Sequence, residues 1–406
     1  MSILRIMKDL SESELDAIGR LAGVKRLHDV FVAGLAKIKP VLPAEYEELV
    51  KKAREAMKPE AFGYIWGSAG AGDTEHANRA AFRRWQITPR VLHDVSRRDL
   101  SVEVLGRKYP VPVFLAPIGA QCAYHKHGEL ATARAAKNAG VPMVLSTYSS
   151  TPLEKVAEEL GDTPRWFQLY WPAKSEICLS FLKRAEASGF SALVLTLDTF
   201  HDGWRQVDVQ NAYNPFARGI GLANYLSDPA FRTMLNLPAK VSDAVAVVKA
   251  LPLMTNPTLT WDDLKFLREH TKLPIVLKGI LHADDARRAL DEGVGGVIVS
   301  NHGGRQVDGA MAALDALVNI VEAVGNQIDV MFDSGIRHGA DVCKALALGA
   351  RCVFLGRPYA YALGVAGEKG VEEVLRNLLA DVDLTLGLSG GTKLEDLKPL
   401  ISRVNS

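Results

Sequence analysis

G-V-I-V-S-N-H-G-G-R-Q, residues 296–306, sets three β-branched positions, Val297, Ile298 and Val299, against an abrupt polar and glycine cluster. A run this short and this apolar suits a strand buried on both faces, and the cluster marks where it stops. The same pattern recurs from residue 113 onward. Val113 to Pro117, Pro142 to Thr147, Arg165 to Tyr170, Ala192 to Asp198, Pro274 to Gly279, Gly296 to Asn301, Asp329 to Gly335 and Cys352 to Arg357 are the apolar runs. Between them, Gly128 to Ala139, Lys174 to Ser188, Trp261 to His270, Ala283 to Gly293 and Gly339 to Leu348 carry helical periodicity. Strands joined by helices build a parallel sheet, and eight such units close a (β/α)8 TIM barrel of the α/β class. A doubly wound open sheet is the alternative, disfavoured because no G-x-G-x-x-G turn follows the first run.

Two stretches fall outside the repeat. Residues 1–112 begin with helical patterns, among them Pro43 to Met57, and continue as irregular chain, which predicts an N-terminal extension packed on a barrel spanning 113–390. Residues 199–258 separate the fourth and fifth runs by more than one helix needs, which predicts a lid over the active site. Its apolar residues Leu235, Leu237, Val245, Val247, Val248, Leu251, Leu253 and Met254 are interrupted by Lys240, Asp243 and Lys249, a pattern of lid packing rather than membrane insertion. The whole chain, 1–406, reads as one domain.

With 48 Lys+Arg against 47 Asp+Glu, the net charge of +1 offers no field to hold nucleic acid or an anionic membrane, so a small molecule is the expected partner. Cys122, Cys178, Cys343 and Cys352 form no C-x-x-C pair and no metal-ligand spacing, so no metal or disulfide framework is expected. A reducing cytoplasmic setting is expected. Met1 to Leu10 holds Arg5, Lys8 and Asp9 with no continuous apolar run, so no signal peptide or anchor is read there.

In a (β/α)8 barrel, chemistry sits at the C-terminal ends of the strands. Here those ends carry Pro117-Ile118-Gly119, Ser146-Thr147, Gln168-Leu169-Tyr170, Thr196-Leu197-Asp198, Lys278-Gly279, Ser300 to Arg305, Asp333 to Arg337 and Gly356-Arg357. The last two clusters follow strands seven and eight, where backbone N–H groups and a helix N-terminus favour a phosphate and Arg337 and Arg357 can add guanidinium forks. The alternative is a pair of surface arginines at helix starts.

The motifs S-N-H-G-G-R-Q (300–306), D-S-G-I-R (333–337), L-G-R-P (355–358), F-Q-L-Y (167–170) and T-L-D-T (196–199) together resemble the FMN-dependent L-2-hydroxy-acid oxidases and dehydrogenases, over roughly residues 45–390. The resemblance implies FMN as cofactor, a 2-hydroxy acid and O2 as partners, and a homotetramer or homo-octamer. It implies His302 as base, with Asp198 fixing its tautomer, and Arg305 and Arg205 on the substrate carboxylate, with Tyr64 and Tyr170 adding hydroxyl donors. A lone strand-end histidine is more often structural, and Tyr64 within F-G-Y-I-W reads as a half-buried packing aromatic until the resemblance is weighed. Lys278 would face charge developing on the reduced flavin ring. Ser146, Gln168 and Thr196 would bond the ring, the backbone at Pro117, Ile118 and Gly119 would meet its N5 side, and Ser300, Asp333, Ser334, Gly335, Arg337, Gly356 and Arg357 complete the cofactor set. Helix capping is the alternative for the Ser and Thr residues.

Within the family the chain looks most like the lactate 2-monooxygenase subgroup, on Gly161 to Pro164, Gly203-Trp204-Arg205, Asn224 to Pro229, Gly119 and the long insertion. This implies oxidation of L-lactate with decarboxylation to acetate, carbon dioxide and water. The alternatives are an oxidase or dehydrogenase that releases the 2-oxo acid, a non-catalytic flavin-binding protein, and an FMN-barrel isomerase or nucleotide dehydrogenase. Phe200-His201-Asp202 departs from the family pattern.

Overall fold

The computed structural model describes residues 22–236 and 243–404; Met1 to Leu10, Leu237 and Lys240 lie outside them. Eight parallel strands close a barrel in sequential order: β1 Val113–Leu115, β2 Met143–Ser146, β3 Arg165–Leu169, β4 Leu193–Thr196, β5 Ile275–Ile280, β6 Gly296–Val299, β7 Asp329–Phe332 and β8 Val353–Leu355. All eight apolar runs are strands. Closure comes from β8 pairing with β1 through Val353, Phe354 and Leu355 against Val113, Phe114 and Leu115.

Side chains alternate across each strand, so parity sorts them into two layers. Phe114, Val144, Trp166, Val194, Val276, Ile298, Met331 and Phe354 form one buried cluster inside the barrel. Their neighbours, such as Leu115, Leu145, Phe167, Leu195, Leu277 and Val299, belong to the larger cluster shared with the surrounding helices. The expected helices occur as Gly128–Ala139, Ser175–Ala187, Ala283–Asp291 and Gly339–Ala347. Trp261 to His270 is divided, with a 3-10 turn Trp261–Asp263 capped by Thr260 ahead of the α-helix Leu264–His270.

Residues 57–112 are not the irregular chain that the sequence suggests. Helices Pro59–Trp66 and Asp73–Arg83 follow Tyr46–Ala56, and Val102–Val104 pairs with Arg107–Tyr109 as a hairpin. The strands are three residues long, with charged Glu103, Arg107 and Lys108, too short for alternation to register. Leu105 and Gly106 supply the two positive-φ positions of a tight hairpin turn. The hairpin stoppers the barrel floor: the Tyr109 ring lies 4.8 Å from that of Phe114, and Trp166 Nε1 donates to the Tyr109 hydroxyl.

The insertion between β4 and β5 is also more ordered than a loop, with helices Gln206–Gln210, Ala223–Leu226, Pro229–Met234 and Asp243–Ala250 among its described residues. Leu222, Tyr225 and Phe231 are completely buried. Beyond β8, a long helical stretch Arg357–Leu388 breaks at Ala366 and Gly367, and the chain then returns so that Ile401–Arg403 pairs antiparallel with Trp85–Ile87. Among the described residues no helix is long and apolar enough to cross a membrane.

The extension is clamped to the C-terminal helix by a buried ion pair. Arg98 Nε and Nη2 lie 2.7 and 2.6 Å from the two oxygens of Asp383, which also accepts from Gly23 N at 2.8 Å. Asp383→Ala leaves the guanidinium buried without its carboxylate, and we expect a loss of about 3–5 kcal/mol in denaturant unfolding. A loss below about 1 kcal/mol would show that the pair contributes little.

Candidate active site

The inward parity of each strand continues one step past the apolar layer and turns polar. Two residues on from Val144, Trp166, Val194, Val276, Ile298, Met331 and Phe354 come Ser146, Gln168, Thr196, Lys278, Ser300, Asp333 and Gly356. Of these, Ser146, Thr196, Lys278, Asp333 and Gly356 line a cavity at the C-terminal mouth. Pro117, Ile118, Gly119, Ser146, Thr196, Lys278, Asp333, Ser334, Gly335, Arg337, Gly356 and Arg357 line it, as do Tyr64, Tyr170, Arg205, His302 and Arg305. Asp198, Gln168 and Ser300 stand behind this lining, bonded to His302, Ser146 and Lys278 in turn.

His302 sits on the β6 end with φ 58°, a conformation that disfavours a side chain with a Cβ and so must be held by its surroundings. Its backbone N–H donates to Ser300 Oγ at 3.1 Å, and the next N–H, on Gly303, donates to Ser334 Oγ at 3.0 Å. His302 Nδ1 lies 2.9 Å from Asp198 Oδ1, which also accepts from Thr199 Oγ1 at 2.8 Å. The carboxylate therefore assigns the Nδ1 proton and leaves Nε2 as the free base. Asp198 packs against β5 where it bulges after Lys278: a Cβ on Gly279 would stand 2.7 Å from that of Asp198, so only glycine leaves room there.

Electrostatics tune the pair. Burial lowers the His302 pKa below its ordinary 6.5, and Lys278 and Arg205 add to that against the opposing pull of Asp198. Burial acts to raise Asp198, but the charges of His302 and Lys278 and the hydrogen bonds from His302 and Thr199 bring it to about 2. Lys278, almost wholly buried, donates to Ser300 Oγ at 2.8 Å and lies 3.1 Å from Asp333 Oδ2. Burial acts to lower its pKa, yet Asp333 and Asp198 raise it, so the ammonium persists.

The arginines differ in their commitments. Arg357 donates to the carbonyls of Ile65, Gly303 and Gly67, which ties the extension to the β6 loop and leaves two of its five N–H groups. Arg337 bonds Ile336 O and Glu75 and lies over the Tyr46 ring at 4.7 Å, while its Nε is buried without a partner. Neither is a surface arginine. Arg305 bonds Gly67 O and lies 5.2 Å over the Tyr64 ring; burial and the neighbouring Arg205 lower its pKa to about 10, so it stays cationic at neutral pH. Tyr64 both packs, edge-on to Tyr213 and Phe216, and lines the cavity. Ser146 and Thr196 cap no helix: Ser146 Oγ donates to Gln168, and Thr196 Oγ1 has no partner.

Sequence reasoning missed Tyr148, stacked on Tyr170 at 4.5 Å, and Tyr124, Asp202 and Phe216, which also line the cavity. It gave no role to Thr199 or to Gln306, whose Oε1 accepts from Arg205 Nη2 at 2.9 Å. Tyr148 follows Ser146 by two residues, the one signal that parity offered.

Residues 53–403 match the family of FMN-dependent dehydrogenases. The chain is 44% identical over 358 residues to an L-lactate oxidase of Lysinibacillus sphaericus, covering 88% of this chain and 92% of that protein. It is 45% identical over 360 residues to the FMN-dependent alpha-hydroxy acid dehydrogenase qulF of Penicillium citrinum, covering 88% and 90%. A crystal structure of mandelate oxidase with (S)-4-hydroxymandelic acid superposes with a TM-score of 0.79 at 37% identity, covering 89% of this chain and 99% of that one.

The His302 pKa sets a pH expectation. With His302 acting as a base it would work neutral, so kcat/KM would fall as pH drops through its pKa, placing the acid limb below 6.5. Asp198→Asn removes a charge that raises His302, so the limb moves further to acid while kcat falls. A pH profile of kcat/KM for both proteins tests this, and a limb that moves to higher pH in the variant contradicts it.

Proposed function

The chain belongs to the FMN-dependent dehydrogenase family and is an FMN-dependent oxidoreductase of 2-hydroxy acids; from that premise we propose that it oxidises L-lactate and retains the pyruvate for decarboxylation. The cavity fits FMN by the donors it offers. Gln168 Nε2, Thr196 Oγ1 and Arg337 Nε are buried polar atoms without protein partners, the first two in the polar layer at the C-terminal mouth and the last beside the start of the helix after β7. Buried donors of this kind cost free energy unless a ligand meets them. Gln168, Ser146, Thr196 and Lys278 would hold the ring, and Ser334, Gly335, Arg337, Gly356 and Arg357 the phosphate. When bound, FMN supplies the two-electron acceptor.

The carrying observation is the Asp198-paired His302 in one cavity with Arg205 and Arg305. The arginines hold the substrate carboxylate, Tyr64 and Tyr170 bracket it, and His302 Nε2 takes the proton of the C2 hydroxyl while the C2 hydrogen departs with its two bonding electrons, which FMN would accept. Asp198 stabilises the resulting imidazolium without taking its proton. L-Lactate thereby becomes pyruvate, O2 takes up the two electrons and two protons lost from lactate as hydrogen peroxide, and peroxide with retained pyruvate gives acetate, carbon dioxide and water.

Retention is supported by the β4–β5 insertion, which brings Asp202, Arg205 and Phe216 into the cavity wall and is anchored by its own buried Leu222, Tyr225 and Phe231. A second reading, release of pyruvate and hydrogen peroxide as an oxidase, is favoured by the L-lactate oxidase relative.

Product analysis of the FMN-loaded enzyme turning over L-lactate in air separates the two. Acetate and carbon dioxide in a yield unaffected by catalase support retention, whereas pyruvate and peroxide support the oxidase. His302→Ala should keep FMN and lose about 10²–10⁴ in the rate of flavin reduction. Bleaching at the wild-type rate would remove His302 from its role.

A further inference from the structure

Arg205, assigned above to the substrate carboxylate, already faces a carboxylate of the chain itself. Asp202 Oδ1 stands 3.0 Å from Arg205 Nη2, and the Asp202 side chain remains 49% exposed while that of Arg205 is 6% exposed. Asp202 lines the same cavity as His302 and Arg305. It also belongs to the Phe200-His201-Asp202 departure from the family pattern.

The placement of Asp202 is built rather than incidental. Gln306 Nε2 donates to the carbonyls of Asp198 and His201 at 2.7 and 2.8 Å, while its Oε1 accepts from Arg205. On the other side, Gly203 lies against the β6 loop so closely that a Cβ would meet the carbonyl oxygen of Arg305 at 2.6 Å. The backbone is thus fixed on both flanks of Asp202, and a negative charge is set into the wall of a site that receives an anion.

We propose that Asp202 is a specificity-determining residue that favours L-2-hydroxy acids with an ammonium group on the side chain and rejects those with a second carboxylate. This rests on the 2-hydroxy-acid reading above. With the substrate carboxylate on the arginines and the carbinol at His302, the substrate side chain meets the rest of the wall, where Asp202 is half exposed. A second carboxylate there meets a like charge in a partly desolvated site, and an ammonium meets a charge-assisted acceptor. The methyl of L-lactate does neither.

The test compares isosteric pairs on the FMN-loaded enzyme by anaerobic stopped flow: L-4-amino-2-hydroxybutyrate against L-2-hydroxyvalerate, and L-malate against L-2-hydroxyisocaproate. In the wild type we expect Kd about tenfold lower for the ammonium acid than for its isostere, and about tenfold higher for malate than for its isostere. Asp202→Leu, and the isosteric Asp202→Asn should Leu fail to load FMN, should bring both ratios to within about twofold. Calorimetric binding of (S)-citramalate against 2-hydroxyisobutyrate, which lack a C2 hydrogen, should show the same discrimination without turnover. Ratios near unity in the wild type, or unchanged in the variants, overturn the role of Asp202 while leaving L-lactate oxidation intact. Absence of flavin bleaching by every 2-hydroxy acid overturns the premise and the proposal together.

Discussion

Strand parity in a closed barrel is the constraint on which this site depends. Once Phe354 pairs with Phe114 across the closure, every inward position is assigned, and the same alternation that buries Trp166 and Ile298 must deliver Gln168 and Ser300 to the next layer. A slip of one residue on β5 would exchange Lys278 for an outward leucine-type neighbour and empty the floor of its cation. The apolar layer and the polar layer are therefore one arrangement, seen at two depths.

The polar layer survives burial because its charges are paired within it. Lys278 with Asp333, and His302 with Asp198, place each ion beside an opposite charge or a hydroxyl, and Ser300 and Ser334 join the pairs to the backbone of the β6 loop. That loop carries His302 at φ 58°, and Ser334 sits at φ 82°, so two non-glycine residues in left-handed backbone meet where the hydroxyls hold them. The strain is local, and the barrel beneath is rigid enough to sustain it.

The extension is part of the site rather than an appendage. Ile65 and Gly67 offer their carbonyls to Arg357 and Arg305, and the helix Pro59–Trp66, which carries Ile65 and is capped by Gly67, also presents Tyr64 to the cavity. The ion pair of Arg98 with Asp383 and the pairing of Trp85–Ile87 with Ile401–Arg403 hold the extension against the C-terminal segment. The positions of the arginines thus depend on segments remote from the barrel strands.

The sequence by itself determined the eight strands, their order, and the polar clusters at their ends, because apolar runs punctuated by Gly, Ser and Asp encode burial and chain reversal locally. It determined the His302, Asp198 and Lys278 positions for the same reason. Only the tertiary structure decided which distant groups meet them. The hairpin at Leu105 was too short to carry a period, and Tyr148, Thr199 and Gln306 act through contacts with Tyr170, His302 and Arg205, residues remote from them in the chain. Such contacts depend on where whole elements come to rest, which no local pattern records; a side chain's partner is fixed by packing, whereas its strand is fixed by its neighbours in the chain.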